Sequence, residues 1–404
     1  MSYKTLTFRV KKTHPDFSVA QRDCWEARII RNSVNAVLRA QYFHYRFGSD
    51  ASLKIPQEYG LSVGDLKPEY VRQVVEQHLN LKLKQKVSQG VIRLLRESWS
   101  SFYSLRKKGY DASIPGYVKQ YAVAPYNSQA LSKKALKEGF IIPSGWRQGF
   151  RLPRYFHGEI KYAKVVPDGN AFTLHVSYKP IEEVIEYTPV KGLIAGIDPG
   201  VNNLFTIAFN DFRKGMIING KPLKHINHHY NILTSQLPKG KRRDNLWAKR
   251  NRKMKHYYQT ATNVVVKNLC EAGVETVVIG WNEGIKDKSP MSRRNNKHFV
   301  QVPTKKILLD LAYKLKEKGI NVVFTEESYT SKASFLDHDP LPTYPEKPPK
   351  FSGRRVKRGL YKSSYGRLIN ADLNGALNII RKYDPEFTEP QGTGPVVSRV
   401  KFTW

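Results

Sequence analysis

Cysteine is scarce in this chain: its 404 residues include only Cys24 and Cys270, which lie far apart. Two thiols cannot build a disulfide framework or a four-cysteine zinc site. The chain also lacks any apolar run approaching the ~18 residues of a membrane-spanning helix. Residues 1–13 are alternating and charged, unlike the apolar core of a signal peptide. We therefore expect a soluble protein of a reducing compartment.

The chain also has few acidic residues relative to its basic ones. Asp and Glu total 34 against 68 Lys and Arg, so the formal net charge is +34. Such an excess concentrates polyanions near the surface and makes their binding depend on salt. Nucleic acid is therefore the expected partner. A membrane surface is the weaker alternative, because the sequence shows no basic amphipathic anchor.

The first half predicts a small β-structure interrupted by helices. With 40% hydrophobic and 12% aromatic residues the chain can bury a core, and its length predicts two or more domains. Alternating residues predict a strand over 3–11 and a hairpin over 160–180, with its turn at the PDGN sequence of 167–170. Between them, apolar residues spaced three and four apart predict helices over 23–47 and 68–108.

From residue 192 onward the pattern is that of an α/β domain. Short apolar runs predict five strands, and stretches with helical period predict three helices. In chain order these are strands at 193–197, 204–209 and 214–218, a basic helix at 241–272, a strand at 276–279, a helix at 304–318, a strand at 321–325 and a last helix at 371–382. This order is that of the ribonuclease H-like fold. Segment 337–366, rich in proline, glycine and basic residues, interrupts it as an inserted module.

Three short segments bring carboxylates to the ends of these elements: GIDPGVNN at 196–203, TEESYTSK at 325–332 and NADLNGALN at 370–378. Asp198 ends the first strand of the α/β half, just before a Pro-Gly turn. Asp372 lies in the first turn of the last helix. Alone, the first is typical of a turn and the second of a helix cap.

Together, Asp198 and Asp372 predict a metal site. In the ribonuclease H-like topology the first strand is central and the last helix packs beside it, and Gly375 and Ala376 are small enough for a close approach. Both carboxylates should then reach one spot. Two unpaired carboxylates would repel each other, whereas Mg²⁺ is a hard cation that prefers oxygen ligands. A pair of such ions can activate water and stabilise the leaving oxygen in phosphodiester cleavage.

These segments resemble the RuvC-type nuclease of the TnpB family, the transposon-encoded RNA-guided nucleases taken to be ancestral to the type V CRISPR effectors. Three sequence motifs carry the resemblance: those around Asp198, around residues 330–332 and around Asp372. Segments 301–303, 319–320 and 329–331 also follow one another in the order found in the family. Residues 88–104 are similar to the helical recognition part of the family, and 151–155 to the return into its β-structured wedge part.

The resemblance implies an α+β multidomain protein. Its N-terminal β-barrel-like wedge domain carries a helical recognition insertion, and a ribonuclease H-like (RuvC) α/β domain with a basic inserted module follows. The implied bounds are 1–22 and 150–190 for the wedge and its linker, 23–149 for the recognition domain, 191–336 for the nuclease, 337–366 for the basic insert, 367–384 for the last nuclease helix and 385–404 for the C-terminal tail.

The third carboxylate departs from the family pattern. The family commonly has a glutamate at the end of the fourth strand, where this chain has Gly280. Glu283 follows about 10 Å further on at ~3.3 Å per residue, whereas Glu326 and Glu327 end the parallel neighbouring strand, about 4.8 Å away. Some members of the family resemble this arrangement. We expect Glu327 to complete the site, with Glu326 and then Glu283 as alternates. The other interpretation is that the adjacent pair merely balances nearby cations.

The zinc ribbon of the family is also missing. Many relatives place two Cys-x-x-Cys pairs between the Thr-Ser-Lys phrase and the last helix, but this chain has ASFL at 333–336 and no cysteine there. We predict no structural zinc. Phe351, Leu360, Tyr361 and Tyr365 are instead expected to hold the insert.

Three basic runs surround the predicted site. Region 239–256 has nine Lys or Arg against the single acid Asp244, 286–297 has five Lys or Arg, and 347–367 has no acid. One such run is usually a solvated face, but three around one site favour contacts with backbone phosphates. The expected nucleic-acid-binding residues are Arg242, Arg243, Lys249, Arg250, Arg252, Lys253, Arg293, Arg294, Lys332, Arg354, Arg355, Lys357 and Arg358.

The leading hypothesis is an RNA-guided DNA endonuclease of a mobile element, in which Asp198, Glu327 and Asp372 hold two Mg²⁺ ions. The resemblance implies a guide RNA encoded near the gene, target DNA cut beside a short adjacent motif, and a monomer on one RNA in the prokaryotic cytoplasm. The missing fourth-strand glutamate motivates the alternative, a cleavage-deficient RNA-guided DNA-binding repressor. A general RNA-binding or ribosome-associated protein would explain the charge but not the three carboxylate segments.

Overall fold

The chain folds as two compact units, Met1–Glu183 and Val184–Trp404. The division falls inside segment 150–190, where the wedge and its linker are predicted. The structure is a computed structural model, and it describes residues 3–48, 60–61, 67–154, 156–181, 187–281, 302–344, 346–347, 350–357, 359–389 and 396–403.

The first unit is built on an antiparallel sheet. Its strands are β1 (Lys4–Val10), β2 (Ala124–Asn127), the short pair β3 (Phe140–Ile141) and β4 (Phe150–Arg151), β5 (Gly158–Asp168) and β6 (Ala171–Pro180). Four of them form one sheet in the order β1-β6-β5-β2. The predicted hairpin is confirmed, and its turn includes Gly169, whose φ of 66° suits glycine. Closure of this sheet into a barrel stays a prediction.

Helices occupy the stretch between β1 and β5, as predicted. They are α1 (Phe17–Phe47), α2 (Pro68–His78), α3 (Gln85–Lys107) and the short α4 (Lys133–Lys137). The helical stretch predicted over 68–108 is two helices, because the chain turns between them at Asn80, which adopts a φ of 45° that asparagine tolerates. Trp99 and Phe102 of α3 lie in the core of this unit. No helix in the described part of the chain is long and apolar enough to cross a membrane.

The second unit contains a mixed sheet. Its strands are β7 (Val190–Pro199), β8 (Asn203–Phe209), β9 (Gly215–Asn219), β10 (Val274–Trp281), β11 (Asn321–Glu326) and, after the insert, β15 (Val397–Val400). The order is β11-β10-β7-β8-β9-β15, and only β8 runs antiparallel to its neighbours. The predicted strands are all present, but β15 was not foreseen, because its segment was interpreted as a tail.

Four helices flank this sheet: α5 (Lys221–Ser235), α6 (Lys241–Glu271), α7 (Thr304–Glu317) and α8 (Ala371–Tyr383). Of these, α5 was missed by the sequence analysis. The closest packing is between α8 and the central strand. A Cβ atom on Gly196 of β7 would lie 2.4 Å from the carbonyl oxygen of Ala376 and 2.6 Å from Cγ1 of Ile380. Glycine at this position therefore permits α8 to lie directly over β7.

The basic insert folds as a small antiparallel sheet. Its strands are β12 (Arg354–Lys357), β13 (Leu360–Lys362) and β14 (Leu368–Asn370), and β14 leads directly into α8. Tyr361 is buried and donates a hydrogen bond of 2.7 Å to the carbonyl oxygen of Lys332, as expected of a residue that holds the insert. Tyr365 is 88% exposed, so the expectation that it holds the insert is wrong. The carboxylates of Asp337 and Asp339 hold the insert instead, through hydrogen bonds from backbone N–H groups.

Candidate active site

Asp198 lies at the end of the central strand, where the chain turns back toward β8. The turn is tight, since a Cβ atom on Gly200 would lie 2.5 Å from the carbonyl oxygen of Asn203. The side chain of Asp198 is half-buried and lines a cavity. The buried run Ala195–Ile197 of β7 is therefore followed by a carboxylate at the edge of the sheet.

Asp372 reaches the same edge from α8. The cap of this helix is Asn370, whose side-chain oxygen accepts hydrogen bonds from the backbone N–H groups of Asp372 (3.0 Å) and Leu373 (3.1 Å). The carboxylate of Asp372 is therefore not needed as a cap. A Cβ atom on Gly375 would lie 2.9 Å from Oδ2 of Asp198, so the glycine permits the helix to pass beside that carboxylate.

Glu327 fills the space above the end of β10. A Cβ atom on Gly280 would lie 3.1 Å from Oε2 of Glu327, 3.3 Å from its Cβ and 2.7 Å from Cδ1 of Ile379. The carboxylate thus crosses one strand spacing from the end of β11. It occupies the place where a glutamate on the fourth strand would begin.

Glu326 has other partners. Its Oε2 accepts a hydrogen bond of 2.5 Å from Nζ of Lys382, and its Oε1 accepts one of 2.9 Å from the backbone N–H of Ser328. No hydrogen bond or ion pair from the described residues reaches the side chain of Glu327. Of the two neighbouring glutamates, Glu327 is therefore the one available to a ligand. Glu283 lies outside the described residues.

The electrostatics of these carboxylates are unfavourable. Burial raises the pKa of Asp198 well above its ordinary value, and the negative charges of Glu327 and Asp372 add to the effect, with Arg355 opposing it. Burial and the charge of Glu326 raise the pKa of Glu327 to about 7, although Lys382 acts in the other direction. A divalent cation would relieve this repulsion, and an all-oxygen donor set suits Mg²⁺.

Asp372 is held by two neighbours. Its Oδ2 accepts a hydrogen bond of 2.6 Å from the side-chain amide of Asn203, and its Oδ1 accepts one of 3.1 Å from the guanidinium of Arg355. Within the described ranges, no three Asp, Glu, His or Cys side chains lie close enough together to hold a metal ion. The carboxylates are neighbours in the electrostatic sense, but Asp372 faces Asn203 and Arg355.

A cavity of about 390 Å³ opens at this edge of the sheet. Asp198 and Asp372 line it together with three basic side chains, Lys221, Arg355 and Arg399. A cavity lined by both carboxylates and cations suits a phosphodiester bound next to a metal ion. Lys221 and Arg399 were not predicted from the sequence, because neither belongs to a motif. Arg399 reaches the cavity because its strand, β15, pairs with β9.

The basic residues of α6 divide by exposure. Arg242, Lys249 and Lys253 are exposed, whereas Arg243 and Arg252 are half-buried. Arg250 is buried, and its guanidinium donates to the side-chain oxygens of Asn227 on α5 and Asn251 and lies over the ring of Trp247. Its assignment to the nucleic-acid surface is therefore wrong, because this guanidinium ties α6 to α5 inside the unit.

In the insert and before it, Lys332, Arg354, Arg355 and Lys357 are exposed. Arg355 is the one that reaches a predicted site carboxylate. Arg293, Arg294 and Arg358 lie outside the described residues, so their assignments stay predictions.

Comparison with known proteins gives two family matches. Residues 175–286 match the OrfB_IS605 family, described as a probable transposase, and residues 305–379 match the Cas12f1-like TNB domain. The chain is also 22% identical over 376 residues to the TnpB-like protein ORF457 of Acidianus two-tailed virus, a match that spans 79% of this chain and 76% of that protein. The resemblance to the TnpB family is thereby confirmed.

Two solved structures are similar at a lower level, a Cas12f1–sgRNA–target DNA complex and a CRISPR-Cas12f ternary complex. The first is 17% identical to this chain, and the match covers 94% of this chain and 99% of that one. The second is 16% identical, and the match covers 92% of this chain and 82% of that one. The TM-scores are 0.35 and 0.36, and we draw no conclusion from values this low.

Proposed function

We propose, from the resemblance to the TnpB family, that the chain is an RNA-guided DNA endonuclease of a mobile element. The observation that carries the proposal is the approach of Asp198, Glu327 and Asp372 to one edge of the sheet, where two of the three have a raised pKa. Perturbed carboxylates in a cleft are typical of a functional site. The cations around them and the net charge of +34 favour a polyanionic substrate.

The fold of the second unit is, in this proposal, ribonuclease H-like. Support comes from the central position of β7, from the order β11-β10-β7-β8-β9 with β8 alone reversed, and from the packing of α8 over β7. In open sheets of this kind, ligands bind at the carboxyl ends of the parallel strands. Asp198 and Glu327 follow two such ends.

In the proposed mechanism Asp198 and Glu327 would hold two Mg²⁺ ions together with Asp372, whose carboxylate would have to turn away from Asn203 and Arg355 to join them. When bound, these ions supply an activated water and stabilise the leaving oxygen of the phosphodiester. The protein's own part is to bind and orient. Lys221 and Arg355 would bind phosphate oxygens at the wall of the cavity. At neutral pH the Glu327 carboxyl, with its pKa near 7, exchanges a proton readily and can lose it to become a ligand.

Guide RNA and target DNA are the proposed partners, as the family resemblance implies. Specificity would then come from base pairing between guide and target, while the protein contacts the backbone and a short motif beside the target. The exposed cations of α6 and of the insert, among them Lys249, Lys253 and Arg354, are suited to phosphate contacts. The guide is expected to be encoded near the gene, with one protein molecule on one RNA.

The repressor alternative rested on the missing fourth-strand glutamate. Glu327 approaches the place that this glutamate would have taken, so the absence of Glu at position 280 does not by itself remove the third carboxylate. The observation supports a nuclease over a binding-only protein.

The test is a guided cleavage assay. RNA that co-purifies with the protein is sequenced, reprogrammed toward a plasmid with a randomised flank beside the target, and assayed for cutting with and without Mg²⁺. We expect guide-directed cleavage that Asp198→Ala abolishes while target binding persists. Asp211→Ala, at an exposed turn of the same unit, is the matched control. Guide-directed binding without cleavage would establish the repressor, and mixed RNA with neither activity would overturn both.

A further inference from the structure

The last strand of the chain forms part of the candidate site. β15 adds to the free edge of β9 in parallel, with Arg399 opposite Ile217 in the register. This pairing brings Arg399 to the wall of the cavity that Asp198 and Asp372 line. A residue from the end of the chain thereby meets a carboxylate from α8 and an amide from the start of β8.

Three side chains form a continuous chain of hydrogen bonds. The guanidinium of Arg399 donates to Oδ1 of Asn203 at 3.3 Å, and Nδ2 of Asn203 donates to Oδ2 of Asp372 at 2.6 Å. The two contacts agree on the orientation of the amide. A guanidinium only donates and an ionised carboxylate only accepts, so the oxygen of Asn203 must face Arg399 and its nitrogen must face Asp372.

The geometry gives Arg399 a definite effect on Asp372. Without a donor at Oδ1, the amide of Asn203 would be held at its nitrogen alone and could rotate out of line with the carboxylate. A donor at Oδ1 prevents this rotation and polarises the amide toward the carboxylate. The cation on the terminal strand therefore orients a carboxylate that it does not itself touch.

We propose that Arg399 is a positioning residue for Asp372, acting through Asn203. The proposal rests on the proposed function, because it takes Asp372 as one of the carboxylates that hold divalent metal. Groups that hydrogen-bond to metal-ligating carboxylates set the orientation of the ligand and the affinity of the site. Arg399 extends this support by one further residue, from a strand outside all three carboxylate segments.

The experiment compares wild type, Arg399→Ala, Asn203→Ala and the double variant in two readouts. The first is Mn²⁺ binding to the guide complex by calorimetry, and the second is the single-turnover rate of cleavage. We expect each single variant to weaken Mn²⁺ binding and to slow cleavage by about tenfold, a typical loss when support for a metal ligand is removed. The double variant should be no worse than either single one, because both break the same chain of contacts.

Two further variants separate positioning from other roles. Arg399→Lys keeps a donor and should recover part of both losses. Lys401→Ala removes the same charge from the same terminal segment and should leave both readouts unchanged. Target-DNA affinity, measured in EDTA, should be equal in Arg399→Ala and wild type, whereas a direct phosphate contact would weaken it. Thermal unfolding of each variant shows whether β15 still pairs.

Additive losses in the double variant, or unchanged Mn²⁺ affinity in Arg399→Ala, would overturn the proposal. A fall in target-DNA affinity without a change in Mn²⁺ binding would do the same and would assign Arg399 to the substrate. If the coupled loss of Mn²⁺ affinity is seen but the wild type cuts no programmed target, the positioning role stands and the nuclease proposal fails. The two proposals are thus tested separately.

Discussion

Two groups of carboxylates in the second unit differ in whether the protein donates hydrogen bonds to them. At the edge of the large sheet, Asp198 and Glu327 are left without hydrogen-bond donors from the described residues, and both have a raised pKa. In the insert, the carboxylate of Asp339 is 3% exposed and accepts backbone N–H groups from Ser334 at 2.7 Å and Ser352 at 3.0 Å.

Asp337 completes the second group. Its carboxylate accepts the backbone N–H of Ser364 at 2.9 Å and the hydroxyl of Ser364 at 2.7 Å. Burial raises the pKa of Asp337, but hydrogen bonds from Ser334 and Ser364 and the charge of Arg367 outweigh it, so the pKa is lowered. The protein satisfies the lone pairs of Asp337 and Asp339, whereas it leaves those of Asp198 and Glu327 for a ligand. Asp372 lies between these cases, because Asn203 and Arg355 donate to it.

In the insert, hydrogen-bonded carboxylates take the place of a zinc site. The family commonly ties this module to the nuclease with zinc, and no cysteine is present here to do so. Asp337 and Asp339 instead connect residues 334, 352 and 364, which are separated along the chain. Hydrogen bonds to ionised acceptors are stronger than neutral ones, so two carboxylates can stabilise a small sheet that has little core of its own.

The largest effect is expected for Asp198→Asn. Cleavage should be abolished, because the amide is a poor ligand for a hard cation. The same change should raise the free energy of unfolding by about 1 kcal/mol, since it removes a buried charge beside two like charges. Thermal unfolding and plasmid cleavage check both parts. A lower unfolding midpoint would mean that Asp198 belongs with the structural carboxylates.

The second-largest effect is expected when the glutamate is removed from position 327 and placed at position 280. Glu327→Ala should abolish cleavage, and the double variant Gly280→Glu with Glu327→Ala should restore part of it. Glu327→Ala removes the carboxylate oxygen that would lie 3.1 Å from the new Cβ, whereas Cβ of residue 327 at 3.3 Å remains and Cδ1 of Ile379 at 2.7 Å must move. Cleavage rates of the three proteins give the answer. Full activity in Glu327→Ala would transfer the role to another carboxylate.

The third prediction concerns Asp339→Ala, which should destabilise the second unit by about 2 kcal/mol by leaving the buried N–H of Ser334 and the part-buried N–H of Ser352 without an acceptor. Urea unfolding measures the loss, with exposed Asp211→Ala as the control. Variants that remain folded should cleave at a rate near wild type. A severe catalytic defect in folded protein would show that Asp339 serves the site directly.

A smaller effect is expected from pH. An ordinary glutamate titrates near 4.5, but Glu327 in the folded protein titrates near 7, so the folded state binds more protons between these values. The extra proton that the folded state binds stabilises the protein fully below pH 4.5. This contribution, on the order of 2 kcal/mol, is lost as the pH rises through 7. Unfolding measured in EDTA should show this slope in wild type. Glu327→Gln should remove it, and an unchanged slope would contradict the assignment.

The smallest effect compares two neighbouring cations of α6. Lys249→Ala should weaken nucleic-acid binding a few-fold and reduce the salt dependence by about one unit of slope, as expected for one phosphate contact. Arg250→Ala should leave the slope unchanged and lower the unfolding midpoint, because its guanidinium holds Asn227 inside the unit. Filter binding across a salt series and thermal unfolding distinguish the two. The reverse pattern would restore Arg250 to the surface.

Local pattern was sufficient for much of the fold. The apolar run ending at Asp198, the hairpin turn at 167–170 and the start of the last helix near Asp372 were predicted from neighbouring residues alone. Each depends on burial of one face or on a turn that few residues adopt. The candidate site residues Asp198 and Asp372 were predicted in this way, because Asp198 lies where a strand ends and Asp372 where a helix begins.

Other features depended on contacts between distant segments. The helix α5 was missed, and the interior position of Arg250 followed from its packing against that helix. The strand β15 was interpreted as a tail, since pairing with a sheet edge uses backbone groups that any extended segment offers. Arg399 was missed with it.

The sequence by itself determined where the chain alternates, turns and presents a carboxylate, because those properties follow from residues a few positions apart. It also determined the net charge of +34, which favours a polyanionic partner. Only the tertiary structure distinguishes the surroundings of Glu326 from those of Glu327, because Lys382 contacts Glu326 and the missing side chain of Gly280 makes room for Glu327. Which carboxylate is satisfied and which is left for a ligand depends on atoms that meet across the fold, and such meetings are not encoded in local spacing.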